Sequence, residues 1–152
     1  MTEFKRNSLT SAVCYRDPQA ALDWLEKAFG FEPAMVITEA DGAIAHAEMR
    51  HGESLIMIGS EWSEDHRSPA SVGGKNTQSV HVHLTQDIDA HCERARQAGA
   101  VIVQEPETQF YGDRTYRARD PEGHIWTFGQ TVRQVTPGEW DAASGLKTKM
   151  LR

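Results

Sequence analysis

Residues 9–30 read LTSAVCYRDPQAALDWLEKAFG, and residues 79–99 read SVHVHLTQDIDAHCERARQAG. Each stretch runs from a β-type segment into a capped helix and stops at a glycine. In the first, LTSAVCY (9–15) reads as a strand. Asp17 stands where its carboxylate accepts from free backbone N–H groups at a helix start, and Pro18 fits the first turn. Ala21, Leu22, Leu25, Ala28 and Phe29 then fall at helical spacing, with Gly30 at the C-cap. In the second, SVHVHLT (79–85) alternates, so Val80, Val82 and Leu84 share one strand face and Ser79, His81 and His83 the other. Asp87 caps a helix predicted to run to Ala98 and stop at Gly99.

Outward from these two units the plan continues in parallel. PAMVIT (33–38), IAHAEMR (44–50) and SLIMIG (54–59) are predicted strands, with Asp41-Gly42 as a hairpin turn. In the second half the predicted strands are AVIVQ (100–104), residues 114–119 and HIWTFG (124–129). Tyr111-Gly112-Asp113 marks one turn, and Asp120-Pro121-Glu122-Gly123 suits a type I turn. A shift of about 70 positions places Asp17 on Asp87, Ala20 on Ala90 and Ala28 on Ala98, which is an internal repeat. The reading is an α+β fold of two tandem βαβββ modules forming a half-open curved sheet. Its divisions are an N-terminal arm (1–8), a first module (9–60), a polar linker loop (61–78), a second module (79–131) and a C-terminal tail (132–152). Trp140 is the tail's candidate anchor, on the body or on a partner chain. Neither half alone buries much surface, so a shared core is expected. Trp126 and Phe128 belong under a helix, while Ile125, Thr127 and Gly129 face a concave cavity.

Composition narrows the function classes. The formal net charge of −6 argues against a nucleic-acid backbone as partner. Cys14 and Cys92 show no CxxC spacing and read as two reduced thiols of a cytoplasmic protein. The opening MTEFKRN lacks the apolar core of a signal peptide, and no apolar run approaches the ~18 residues that span a bilayer, so no membrane partner is expected.

Two stretches carry a family likeness. RDPQAALDWLEKAFGFEP (16–33) resembles the first helix of the vicinal-oxygen-chelate superfamily. YGDRTYRARDPEGHIWTFGQ (111–130) resembles the closing hairpin of its glyoxalase / bleomycin-resistance / extradiol-dioxygenase members. The likeness covers about residues 9–131, and it is specific for the fold rather than for one reaction. It implies four cavity-facing metal positions, here filled by Thr10, Met57, His81 and Thr127. Of these only His81 is a competent ligand, and a catalytic divalent ion needs at least three basic N or O donors. No cofactor is therefore expected, and the resemblance implies a non-metal branch.

The remaining candidates divide between ligand contact and structure. His81 and His83 share a strand face, as a pair aimed at a ligand or as satisfied structural histidines. His81 is the candidate general acid or base. His46 and Glu48 share another face and with His81 and His83 compose an alternative, rearranged metal site; the competing reading makes them solvated or structural. Trp62 and Tyr111 are candidate ligand contacts, Trp62 because exposing its apolar area is unfavourable. Arg114 either binds an anion or is neutralised by Asp113. His51, His66 and His91 read as surface residues and His124 as structural. Cys14 reads as an inert filler beside a nucleophile alternative. The first functional expectation is a homodimer holding a small, partly aromatic organic molecule in a concave groove without metal. The alternatives are a metal-dependent glyoxalase-like lyase, isomerase or dioxygenase built on the His/Glu cluster, and a metal-free enzyme using His81.

Overall fold

The computed structural model of the protein describes residues 6–151; residues 1–5 of the arm and residue 152 of the tail lie outside the described residues. The first module contains β1 (Ala12–Tyr15), α1 (Pro18–Phe29), β2 (Glu32–Thr38), β3 (Ile44–His51) and β4 (Ser54–Ser60). The second contains β5 (Ser79–His83), α2 (Ile88–Gln97), β6 (Val101–Thr108), β7 (Asp113–Arg119) and β8 (Ile125–Thr131), and α3 (Pro137–Ser144) follows. The strands form two four-stranded sheets, ordered β1-β4-β3-β2 and β5-β8-β7-β6. In each, the first and last strands of the module pair in parallel and the others antiparallel. The architecture is α+β, and the sheets do not close into a barrel.

Local chemistry explains most boundaries. The Asp17 side chain accepts from Ala20 N at 3.0 Å, Pro18 begins α1, and Gly30 closes it at φ 76°. The five residues predicted for the inner face of α1 are the five that are buried. Asp87 caps α2 as expected, by accepting from Ala90 N, but with a left-handed backbone at φ 45°. β1 starts at Ala12, later than the predicted residue 9. Before it the chain still follows β4, with Ser11 O accepting from Met57 N and Leu55 O accepting from the Asn7 amide. β6 is longer than predicted and runs through Pro106. An edge strand tolerates a residue that cannot donate to a ladder, and the register shifts between Gln104 and Glu107.

The two modules share one core, as small domains require. Phe29 and Phe31, at the end of α1 and just beyond, reach into the second module. Phe29 lies 4.7 Å from Phe128 and 5.7 Å from Trp126, and Phe31 lies 5.4 Å from Trp126, ring centre to ring centre. The helices abut rather than the sheets, so each sheet keeps one face turned away from the core.

Polar groups fasten the helix pair. Trp24 Nε1 donates to Ala98 O at 2.8 Å, and the Arg94 guanidinium donates to Lys27 O and Glu26 O. His91, expected at the surface, lies inside this junction, since its helix face meets α1. Its Nε2 lies 3.0 Å from the Phe29 carbonyl, which can only accept, so Nε2 carries the proton. Nδ1 then accepts from the Tyr116 hydroxyl at 2.6 Å. Burial lowers the His91 pKa, the Phe29 bond opposes that, and the charges of Arg94 and His51 reinforce it.

Candidate functional site

Strand register decides which side chains share the faces away from the helices. On the first sheet Ala12, Met57, Glu48 and Met35 stand in one row across β1, β4, β3 and β2. On the second, His81, Thr127, Arg117 and Gln104 stand in the equivalent row across β5, β8, β7 and β6. Trp126 and Phe128 point the other way, buried under the helices as predicted.

The first row is apolar apart from Glu48, which is only 1% exposed. Its Oε1 accepts from Arg6 Nη1 at 2.6 Å and its Oε2 from His46 Nε2 at 2.8 Å. Burial works to raise the Glu48 carboxyl, but the bonds from His46 and Arg6 and the Arg6 charge outweigh it, so it lies below the usual carboxylate range. His46 and Glu48 are committed to each other and to the arm. The solvated reading of Glu48 is therefore replaced by a buried ion pair.

A cavity of about 660 Å³ opens where the modules meet. Phe31 and Trp126 floor it, Leu55 and Ile56 of β4 form one wall, and the edge strand β5 forms the other, with His81 and His83 exposed along it. His51, also expected at the surface, is half-buried beside the cavity and donates through Nε2 to His83 O at 3.0 Å.

The other predicted contacts lie apart from this cavity. Thr10 precedes β1 and occupies no sheet position; Ala12 pairs with Met57 instead. Met57 and Thr127 occupy the open-face rows. Trp62 is 70% exposed in the loop after β4, stacked on His66 at 4.0 Å. Tyr111, at the β6–β7 turn, joins Phe110, Trp140 and Leu146 around a second pocket of about 330 Å³. Arg114 pairs with Asp89 at 2.9 Å, not with Asp113. The rearranged metal set is not assembled: His46 and Glu48 lie on one sheet, His81 and His83 on the other. Among the described residues no three His, Cys, Asp or Glu side chains converge where an ion could be held. The Cys14 thiol is pushed up by burial and by the nearby Glu61 charge, which suits a filler. Arg117 escaped the sequence reading, although its alternation with Tyr116 and Ala118 was a usable signal.

Comparison with known proteins agrees with this architecture. A sequence profile of the Glyoxalase/Bleomycin resistance protein/Dioxygenase superfamily matches residues 8–128. An uncharacterised protein of Mycobacterium tuberculosis (strain H37Rv) is 36% identical over 141 residues, spanning 90% of this chain and 81% of that protein. TioX from Micromonospora sp. ML1 superposes with a TM-score of 0.67 at 30% identity, covering 82% of this chain and 98% of TioX. A superfamily member from Sphaerobacter thermophilus DSM 20745 superposes with a TM-score of 0.64 at 22% identity, covering 80% and 94% of the two chains, a likeness of fold alone. The chain belongs to the glyoxalase / bleomycin resistance protein / dioxygenase superfamily, the vicinal-oxygen-chelate fold.

Proposed function

We propose that this protein binds a small, partly aromatic organic molecule in the hollow between its two modules, without a catalytic metal. The observation that carries the reading is the cavity of about 660 Å³, whose size and aromatic floor suit such a ligand and whose polar lining, His81 and His83 among it, can orient one. The donor chemistry supports the second part. The family's ligand positions, read by register on the open sheet faces, hold Ala12, Met57, His81 and Thr127, and one imidazole with a thioether and a hydroxyl does not suit a catalytic divalent ion. His46 and Glu48, the nearest alternative donors on the first sheet, are already bonded to each other.

The protein is proposed to act as a homodimer, which the exposed Val36 and Ile37 of edge strand β2 and Val101 and Val103 of edge strand β6 support. A cytoplasmic location is proposed from the two free thiols. No helix among the described residues is long and apolar enough to cross a membrane.

A thermal-shift screen with planar aromatic compounds tests the binding reading, because a ligand that binds only the folded state raises the unfolding temperature. The expected result is a concentration-dependent rise that weakens in His81→Ala. A stoichiometric divalent metal in the purified protein, retained through dialysis, would overturn the metal-free part. Sedimentation as a monomer at micromolar concentration would remove the dimer.

A further inference from the structure

The open faces of the two sheets differ in charge. The carboxylate of the first sheet's row is answered by Arg6 and His46. The second row holds the Arg117 guanidinium, and among the described residues Arg117 forms no ion pair. The acids nearest it on this face are Glu107, paired with Thr115 one row away, and Asp113 beyond. Neither forms a salt bridge with it. In a chain of net charge −6, a cation with no ion pair among the described residues, on the sheet's open face, is a local reversal of sign.

Thr127 gives the second, independent observation. It is 4% exposed and lies on β8 between Arg117 and His81, yet its hydroxyl has no hydrogen-bond partner among the described residues. No side-chain oxygen or nitrogen among those residues is both sealed from solvent and unpartnered, so this hydroxyl reaches the open side. His81 is exposed and its ring is likewise without a partner. Neighbouring strands lie about 4.8 Å apart, so His81 and Arg117 flank Thr127 across a gap of about 10 Å, enough for one small anion over the threonine.

We propose that His81, Thr127 and Arg117 form a cradle for a carboxylate, and that the bound molecule of the preceding section, on which this rests, is an aromatic carboxylic acid. One guanidinium balances a single charge. A planar two-oxygen group can place one oxygen on the Arg117 N–H fork and the other within reach of the Thr127 hydroxyl and a His81 N–H. Of the three, His81 alone borders the cavity, so the cradle adjoins that space through it.

The test compares 2-naphthoate with its neutral amide, 2-naphthamide, by calorimetry and by amide NMR shifts in the full chain. Naphthoate is expected to bind at least about tenfold more tightly than naphthamide, because a charge-assisted bond is lost in the amide. Its shifts should centre on residues 81, 117 and 127. Arg117→Gln should abolish the preference, and Arg117→Lys should restore part of it. Thr127→Val, which keeps the shape, should weaken naphthoate several-fold. Equal affinity for the two compounds overturns the cradle while the hollow still binds. A preference that survives Arg117→Gln, or shifts centred elsewhere, overturns it as well. Binding of neither compound overturns the cradle and counts against the hollow itself.

Discussion

Besides the helix junction, the modules meet at two joints along their sheet edges, and these joints are built differently. At one, the turn between β7 and β8 meets the start of the first module. Asp120 Oδ2 accepts from the Tyr15 hydroxyl at 2.6 Å and from Trp126 Nε1 at 3.1 Å, while its Oδ1 accepts from the backbone of Glu122 and His124. Glu122 accepts from the backbone N–H groups of Arg16 and Asp17 and from the Ser68 hydroxyl. His124 donates to Cys14 O at 2.7 Å. At the other joint, at the turn between β3 and β4, His51 donates to His83 O. Cys14 and His83 hold equivalent places, each paired with a glycine of the adjoining strand, Gly59 and Gly129. The repeat therefore supplies two similar edges, and the five-residue DPEGH turn seals one while the shorter HGES turn leaves the other hollow. A duplicated fold gains a pocket where its two copies stop being alike.

Mutations should expose that contrast, beginning at the sealed joint. Asp120→Ala strands the Tyr15 hydroxyl and the Trp126 N–H in the core, and should cost about 3–5 kcal/mol in urea unfolding. His124→Ala should cost about 2 kcal/mol, since a buried ring is lost and a half-buried carbonyl loses its donor, whereas His51→Ala should cost less than about 1 kcal/mol because water from the cavity can replace it. Equal costs for the two histidines would contradict the distinction between sealed and open joints. The smallest effect concerns pH. The His91 pKa is lowered in the folded protein, so the ring is neutral in both states above about 6.5 and its contribution is complete there. As pH falls below that value, unfolded chains take up the proton first and stability declines until the folded ring protonates too. Unfolding measured from pH 7.5 to pH 5 should show this decline, and His91→Gln should flatten it.

Much of the fold was legible because the cues were local. The alternation of Val80, Val82 and Leu84, the paired helix caps and the DPEG turn each act over a few residues, and each holds in the structure. What was not legible depends on distant contact. His91 carries the look of a surface helix residue, and only the approach of α1 buries it. His51 becomes part of a joint through a strand 32 residues away. α3 buries no side chain, so it shows no apolar stripe, although Thr136, Pro137 and Gly145 supplied its start and stop signals. For the candidate site, strand phase put His81 and Thr127 on the sheet face away from the helices, where the register has them, but it also led from the ligand positions to Thr10, which precedes β1. Arg117 carries no local mark of a site, since whether a strand arginine has a counter-ion depends on acids distant in sequence.

The Arg94 bonds across to Lys27 O and Glu26 O bear on how the chain is made. A nascent polypeptide emerges from the ribosome with its first α-helix some sixty-seven residues ahead of the side chain that closes it. Until Arg94, His91 and Ala98 arrive, the carbonyls of residues 27 and 29 and the Trp24 indole lack their partners from the second module, and the carbonyl of residue 26 has only the Gly30 N–H. The leading half therefore completes its structure only when the trailing half is present, and maturation is expected to be a single late event rather than two successive ones.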